Sequence, residues 1–417
     1  MSDRDPSSPA SVLEPLDARL ADLVALYEDL HRHPELAYEE TRTAAEAARR
    51  LTSYGYDVTT GIGVTGVTGV LRNGPGPVVL LRADMDALPV SENSDVPYAS
   101  TVPGRMHACG HDVHVTCLLG AADLLAAGRD RWSGTLVVLF QPAEEAGSGA
   151  RAMLDDGLYS KQLVPVPDVV LAQHVAPFGA GLIAYCPGAC MAAADSLEIT
   201  FHGTGGHGSR PETTVDPILM AAAFVQRVQS VVAREIAAKE QVVVTVGSFH
   251  AGDTANVIPD RAVVRLSVRS FDANVRTAVL AAVERIARAE AAASGASEEP
   301  ETTMLDSFPV TVNDDAVLAA VNADFTRHFG DQRVLAFDPA TGSEDAGLLA
   351  TAAEAPLYYW WLGGWDPDAF RTALAAGRLA QDIPSNHSPR FVPVTRPTLS
   401  TGVQALTVAA LGQLGRA

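Results

Sequence analysis

The order of β-rich and helical segments constrains this chain more than any other feature. A helix-period stripe through Leu16, Leu20, Leu23, Val24, Tyr27 and Leu30 follows a polar opening that runs to about residue 11, and it ends near His33-Pro34. Apolar and β-branched runs bounded by Gly and Pro at 65–71, 78–82, 135–140 and 168–172 then alternate with predicted helices at 39–54, 113–127 and 149–156. Strands alternating with helices predict an α/β sheet. Past Pro187 the order changes to strand 196–201, helix 216–237, strands 241–249 and 261–269, helix 274–293 and strand 301–305. That order, βαββαβ, is a complete ferredoxin-like unit. Helices at 314–329 and 343–353, a strand at 357–362 and a closing helix at 395–413 resume the first texture. The small unit, 188–303, therefore reads as an insertion between two halves of a larger domain, 1–187 and 304–417.

A chain of 417 residues accommodates two such domains. Its 30 Lys and Arg against 50 Asp and Glu leave a formal charge of −20, which repels phosphate backbones and anionic lipid, so neither nucleic acid nor a membrane surface is an expected partner. No apolar run approaches the roughly 18 residues of a membrane span. The first twenty residues hold six charges and no continuous apolar core, unlike a secretory signal, and a cytoplasmic address is expected. Four cysteines are too few for a disulfide scaffold. Cys186 and Cys190 read as ordinary thiols and Cys117 as core.

The stretch Met106-His107-Ala108-Cys109-Gly110-His111-Asp112-Val113-His114 crowds three histidines, a cysteine and an aspartate beside a predicted helix start. Cys109 and His111, two apart in an extended turn, can reach one metal ion, while any one of these side chains taken singly also reads as an ordinary core or surface residue. Glu144 and Glu145 follow the strand at 135–140, where sites in open α/β sheets gather. They read either as a solvated acidic loop or as a metal ligand beside a proton acceptor. His174 and His387 end predicted strands, and Asp84 and Asp86 follow the run at 78–82, where an Asx turn before Pro89 is the competing reading.

Taken together, RADMDALP (82–89), MHACGHD (106–112), QPAEE (141–145), the His174 segment, GGHGSRP (205–211), NVIPD (256–260), GSED (342–345) and HSPRF (387–391) stand in an order that resembles the metal-dependent aminoacylase and carboxypeptidase family. The likeness covers essentially the whole chain. It is to the amidohydrolase branch of hippurate hydrolases, N-acyl-amino-acid aminoacylases and auxin-conjugate hydrolases, and in detail to bacterial N-acyl-glutamine aminoacylases.

The resemblance implies a zinc-peptidase-like mixed sheet carrying the catalytic centre, with 188–303 as a dimerisation and lid domain. It also implies two divalent ions per chain, zinc first among them, with manganese, cobalt and nickel accepted by the same donors. Cys109 would bridge the ions, His111 and Glu145 completing one and His174 and His387 the other. Glu144 would be the general base, Asp86 would orient a ligand histidine, and His207 would stabilise the oxyanion. Asn256 and Gly342 belong to the substrate side of the pattern. In the wider family a histidine ligand stands at the place of Asp84 and the bridge is an aspartate, so this chain follows its own branch there. No ligand role falls to His114.

Arg265, on the cationic stripe of the strand at 261–269, is a candidate receptor for the substrate carboxylate. Ser343 before Glu344 and Asp345 reads equally as a helix N-cap. Tyr358, Tyr359, Trp360, Trp361 and Trp365 read mostly as core, with one or two offered to an acyl pocket. The reaction implied is hydrolysis of an N-acyl-L-amino acid by a homodimer. The alternatives are a dipeptidase or carboxypeptidase with the same metals, and an inactive ligand-binding relative.

Overall fold

The computed structural model describes residues 9–416. The chain forms two compact units, Met1–Cys190 with Val312–Asp338 and Asp345–Ala417, and Met191–Thr311 with Pro339–Glu344.

The first unit is built on a nine-stranded mixed sheet. Val78–Asp84 and Trp132–Gln141 read as nearly unbroken apolar runs because each is a parallel strand of the sheet interior. Val169–Gly179 continues the parallel set and Leu357–Trp365 extends it. Antiparallel strands Gly66–Asn73 and Asp57–Ile62 finish one edge. Ile183–Tyr185, antiparallel to Leu357–Trp365, and Val334–Ala336 finish the other. The parallel core brings the carboxyl ends of its strands to one end of the sheet, the place where α/β folds build sites. Helices Leu16–Arg32, His111–Ala127 and Thr395–Gln413 supply much of the core, with Leu23, Leu118, Leu119, Leu399 and Val403 all buried.

The second unit is a four-stranded antiparallel sheet in the order Val242–His250, Arg261–Ser270, Ala193–His202, Glu301–Phe308. This is the ferredoxin-like arrangement that the element order predicts. Pro217–Ser230 and Ala273–Ala293 supply Phe224, Val228, Val283 and Ile286 to a core shared with Ile199, Phe201, Val264 and Val268. Alternation along Arg261–Ser270 puts Ala262, Val264, Leu266 and Val268 on the buried face.

Several local expectations need correction. Of the polar opening, residues 1–8 lie outside the described residues and Pro9–Leu13 is a short helix. The strand expected at 168–172 runs on to Gly179, because Leu357–Trp365 offers it a parallel partner over that whole length. His174 therefore sits inside a strand and not after one. The helix expected at 216–237 is α-helical only to Ser230 and closes in a π turn, Val231–Glu235. The helix expected from residue 343 starts at Gly347 without a side-chain cap. Asp57–Ile62, with two threonines and a glycine in six residues, gave no strand signal. Among the described residues no helix is long and apolar enough to cross a membrane.

Candidate active site

Gly110 turns the chain from the 106–109 segment into the helix His111–Ala127. Its φ is +84, and a Cβ there would meet Val175 Cγ1 at 2.4 Å, so the position demands glycine. The turn presents Cys109 with its Sγ 3.5 Å from His174 Nε2. His174 Nδ1 lies 2.8 Å from the Val175 carbonyl, which only accepts, so Nδ1 carries the proton and Nε2 offers a lone pair beside Cys109. His111 Nδ1 donates to Asp86 Oδ1 at 3.2 Å, and its Nε2 is buried with no hydrogen-bond partner. That Nε2 lies 3.8 Å from Glu145 Oε1, and His387 Nε2 lies 3.2 Å from the same oxygen. His387 is held at φ +69, with its N–H donated to the Ala108 carbonyl. The neighbouring Asn386 donates to the carbonyls of Cys109 and Val175.

Asp86 serves two partners, since its Oδ2 accepts the Glu145 N–H at 2.9 Å. One buried carboxylate thereby orients His111 and pins the Glu144-Glu145 loop, as expected of a residue behind the ligands. Asp84 also lies close, its Oδ2 3.7 Å from His111 Nε2, but its hydrogen bonds go to other side chains. It accepts Arg82 Nη1 at 2.7 Å and His114 Nδ1 at 2.5 Å, while His114 Nε2 accepts the Val175 N–H at 2.7 Å. With both ring nitrogens engaged, His114 braces the strand beside His174.

The electrostatics favour cations. Burial pushes the Cys109 thiol well above its usual range, and the carboxylates of Glu145, Glu144 and Asp84 push it further. Burial alone would lower His111, but Asp84, Asp86 and Glu145 hold it up at about 10. Burial beside His114 keeps His174 well below 6.5 and neutral. Bringing divalent ions to such a carboxylate-rich pocket would release these protons and balance the charge. The donors suit them. Ligand atoms of Cys109, Glu145 and His387 lie within 4.8 Å of one another, as do those of His111, Glu144 and Glu145. Thiolate, imidazole and carboxylate are the donors of zinc sites.

In the second unit, Gly206–His207 pairs with Val257–Ile258, so His207 and Asn256 occupy one small ribbon. Ser209 donates its N–H to His207 Nδ1 at 3.1 Å, which leaves the neutral ring with an exposed Nε2–H donor. Arg265 is ion-paired to Glu198 at 2.7 Å across neighbouring strands, so its charge is already answered there. Gly342 accepts the Ala192 N–H, and Ser343 accepts from Arg269. Ser343 is thus no N-cap. Tyr358, Tyr359, Trp360 and Trp361 are buried core, and Trp365 stacks on Phe391.

Glu40 and His31 went unread in the sequence, and Asp345 and Arg82 were read only as members of their motifs, without their buried partners. Asp345 accepts Gln141 Nε2 at 2.6 Å and the Ala150 N–H, joining buried Arg82 in a network under the strand ends. Glu40 reaches the loop before Glu144, and His31 pairs with Asp112 behind the ligand turn. Arg82 had a usable signal, because a charge inside a run buried on both faces must find partners.

Comparison with known proteins agrees with this geometry. The profile of peptidase family M20/M25/M40 matches residues 80–373. Hippurate hydrolase of Campylobacter jejuni is 39% identical over 323 residues, covering 77% of this chain and 82% of that one. Thermostable carboxypeptidase 2 of Saccharolobus solfataricus is 37% identical over 350 residues, covering 82% and 85%. The crystal structure of the YxeP protein of Bacillus subtilis, described as a dinuclear metal binding peptidase from the M20 family, has a TM-score of 0.76 and 29% identity and covers 95% of this chain and 98% of that one. With the family profile spanning most of the chain and relatives 37% and 39% identical over more than three quarters of it, the chain belongs to the peptidase family M20/M25/M40 and is a hydrolase.

Proposed function

We propose that the protein is a dinuclear metal amidohydrolase that cleaves N-acyl-L-amino acids to a carboxylic acid and a free amino acid. The observation that carries this reading is the convergence of Cys109, His111, Glu145, His174 and His387 on one pocket with Glu144 beside it. Those five side chains would hold two divalent cations, which when bound would supply Lewis acidity to the amide carbonyl and lower the pKa of water from about 15.7 toward 7. Zinc is the first choice for this donor set, with manganese, cobalt or nickel as substitutes. The names of the hippurate hydrolase and of the dinuclear Bacillus structure support the substrate class and the two ions.

Glu144 takes the proton of the attacking water and returns it to the amine nitrogen as the C–N bond breaks. Asp86 keeps His111 and the Glu145 backbone in place. His207 offers its Nε2–H to the oxyanion that develops on the carbonyl oxygen. Asn256 and Gly342 attend the substrate carboxylate, with Arg265 available there only if it leaves Glu198. The inserted segment 188–303 serves as lid and dimerisation domain within a homodimer. Four free thiols suit a cytoplasmic address.

A screen of acyl groups crossed with amino acids, glutamine and glycine included, read as released amine, tests the reading. The carboxypeptidase relative favours one second reading, peptide cleavage at the same centre. Turnover of a dipeptide at least tenfold faster than of the matching N-acyl amino acid would decide for it.

A further inference from the structure

At the far edge of the large sheet lies an apolar groove of about 570 Å³, a size ordinary for small-molecule sites. Phe178, Leu182, Ala184, Phe337, Phe370 and Ile383 form its walls, and Ser385 is the one polar residue among those that line it. The Phe178 ring lies 4.7 Å from that of Phe337 and 6.4 Å from that of Phe370.

The strand register places the groove relative to the candidate metal ligands. His174 pairs with Trp361, Trp361 with Ala184, and Ala184 with Leu335. Residues paired in this way point to the same face of a sheet, so His174 and the groove residue Ala184 share a face. Two interstrand spacings separate their backbones by about 10 Å. The other wall closes on the metal cluster through the chain itself, since Ser385 precedes His387 by two residues and the intervening Asn386 is bonded to the Cys109 carbonyl.

We propose that this groove receives the distal part of the substrate's acyl chain. The inference rests on the amidohydrolase reading and adds a substrate class to it, acids with a long apolar tail. A lining almost without polar groups offers nothing to an amino acid or a peptide backbone, whose amides would be left unpaired there. Methylenes, in contrast, lose only their contact with water. Each one entering the groove should raise kcat/KM by about fourfold. The gain begins only past the length that bridges the gap from the scissile carbonyl, so acetyl substrates draw nothing from the groove.

The test compares N-acetyl with N-decanoyl glycine in wild type, Ala380→Trp and Leu374→Asp. Both substitutions fall at exposed helical positions lining the groove, one filling it and one charging its rim. The expected result is a fall of at least tenfold in the decanoyl to acetyl ratio of kcat/KM in each variant. An unchanged ratio would overturn the proposal. Should neither substrate be turned over, the parent reading fails by itself, and titration calorimetry with decanoate alone then reads the groove. Binding to wild type that both variants lose upholds the groove; no binding, or equal binding to all three proteins, overturns it.

Discussion

Glu40 accepts the Ala143 N–H at 2.8 Å, and this one bond sets the backbone immediately before Glu144. Ala143 has a φ of +49, a left-handed conformation that costs a non-glycine residue about 1 kcal/mol and persists only when its surroundings enforce it. The second oxygen of Glu40 is held by Thr65 Oγ1 at 2.6 Å, so the carboxylate is fixed at both ends and fully buried.

Glu40 is therefore a positioning residue for the base. Glu40→Ala should lower kcat by roughly 10- to 100-fold, since small misplacement of a catalytic group is costly. KM and metal content should change little. Glu40→Gln keeps one acceptor and should recover part of the loss. Equal damage to kcat, metal content and melting temperature in both variants would reduce Glu40 to a purely structural role.

The two adjacent glutamates should separate by readout. Glu144→Gln should leave bound metal near normal while hydrolysis falls roughly 10²–10⁴-fold, the usual worth of a positioned general base. Glu145→Gln, which alters the oxygen shared by His111 and His387, should lower the metal content itself. The reverse pattern would exchange the two roles.

Metal analysis should find two divalent ions per chain after reconstitution and dialysis, because five candidate ligand side chains exceed the three or four that one zinc uses. Cys109→Ala should weaken both sites together if the sulfur bridges them. A single ion per wild-type chain, even with metal resupplied, would remove the dinuclear mechanism.

Behind the ligand turn, His31 Nδ1 meets Asp112 at 2.6 Å and Nε2 meets Glu92 at 3.3 Å. Burial lowers the affinity of His31 for a proton, but the two carboxylates outweigh it and raise its pKa to about 9. A folded-state value above the unfolded 6.5 means that the stabilisation is complete below pH 6.5 and is lost as pH rises through 9. The size is on the order of 3 kcal/mol. Urea unfolding of His31→Gln should accordingly show a large deficit at pH 6 that shrinks by pH 10. A deficit independent of pH would mean that packing, and not charge, accounts for His31.

The elements whose apolar period matched their burial were legible in advance. The run at 78–82, the stripe from Leu16 to Leu30 and the βαββαβ order all belong to segments whose covered faces the sequence repeats. The candidate metal ligands could be named in advance because Cys109, His111, Glu145, His174 and His387 lie in short motifs that resemble those of a known family, while clustering alone left a core or surface reading open for each. Glu40 and His31 were not legible, since each looks like a solvated polar residue and acquires meaning only when the fold buries it against a partner 81 to 103 positions away, and Asp345 read only as part of a helix start, its partner Gln141 lying 204 positions off. The aromatics at 358–361 are core, as most of them read in the sequence. Their strand lies inside the sheet, and the apolar groove was assembled from Phe178, Phe337 and Phe370 on three separate segments.

The last prediction concerns assembly. Among the described residues, each edge strand of the inserted sheet, Val242–His250 and Glu301–Phe308, is paired on one side only, and unpaired edges are either protected or used for association. Val243, Phe249, Met304 and Leu305 on those strands are exposed. A two-fold dimer formed through this unit would let His207 of one chain serve the metal ligands of the other. Mixing His207→Ala with Glu144→Gln, each inactive alone, should then restore activity once subunits exchange. Half of the dimers would be mixed, and each of these has one unmutated site of two, so recovery should approach about a quarter of wild type per chain. Heterodimers that form without any recovery, or a monomer that sediments as such and is fully active, would confine His207 to its own chain and leave the metal chemistry untouched.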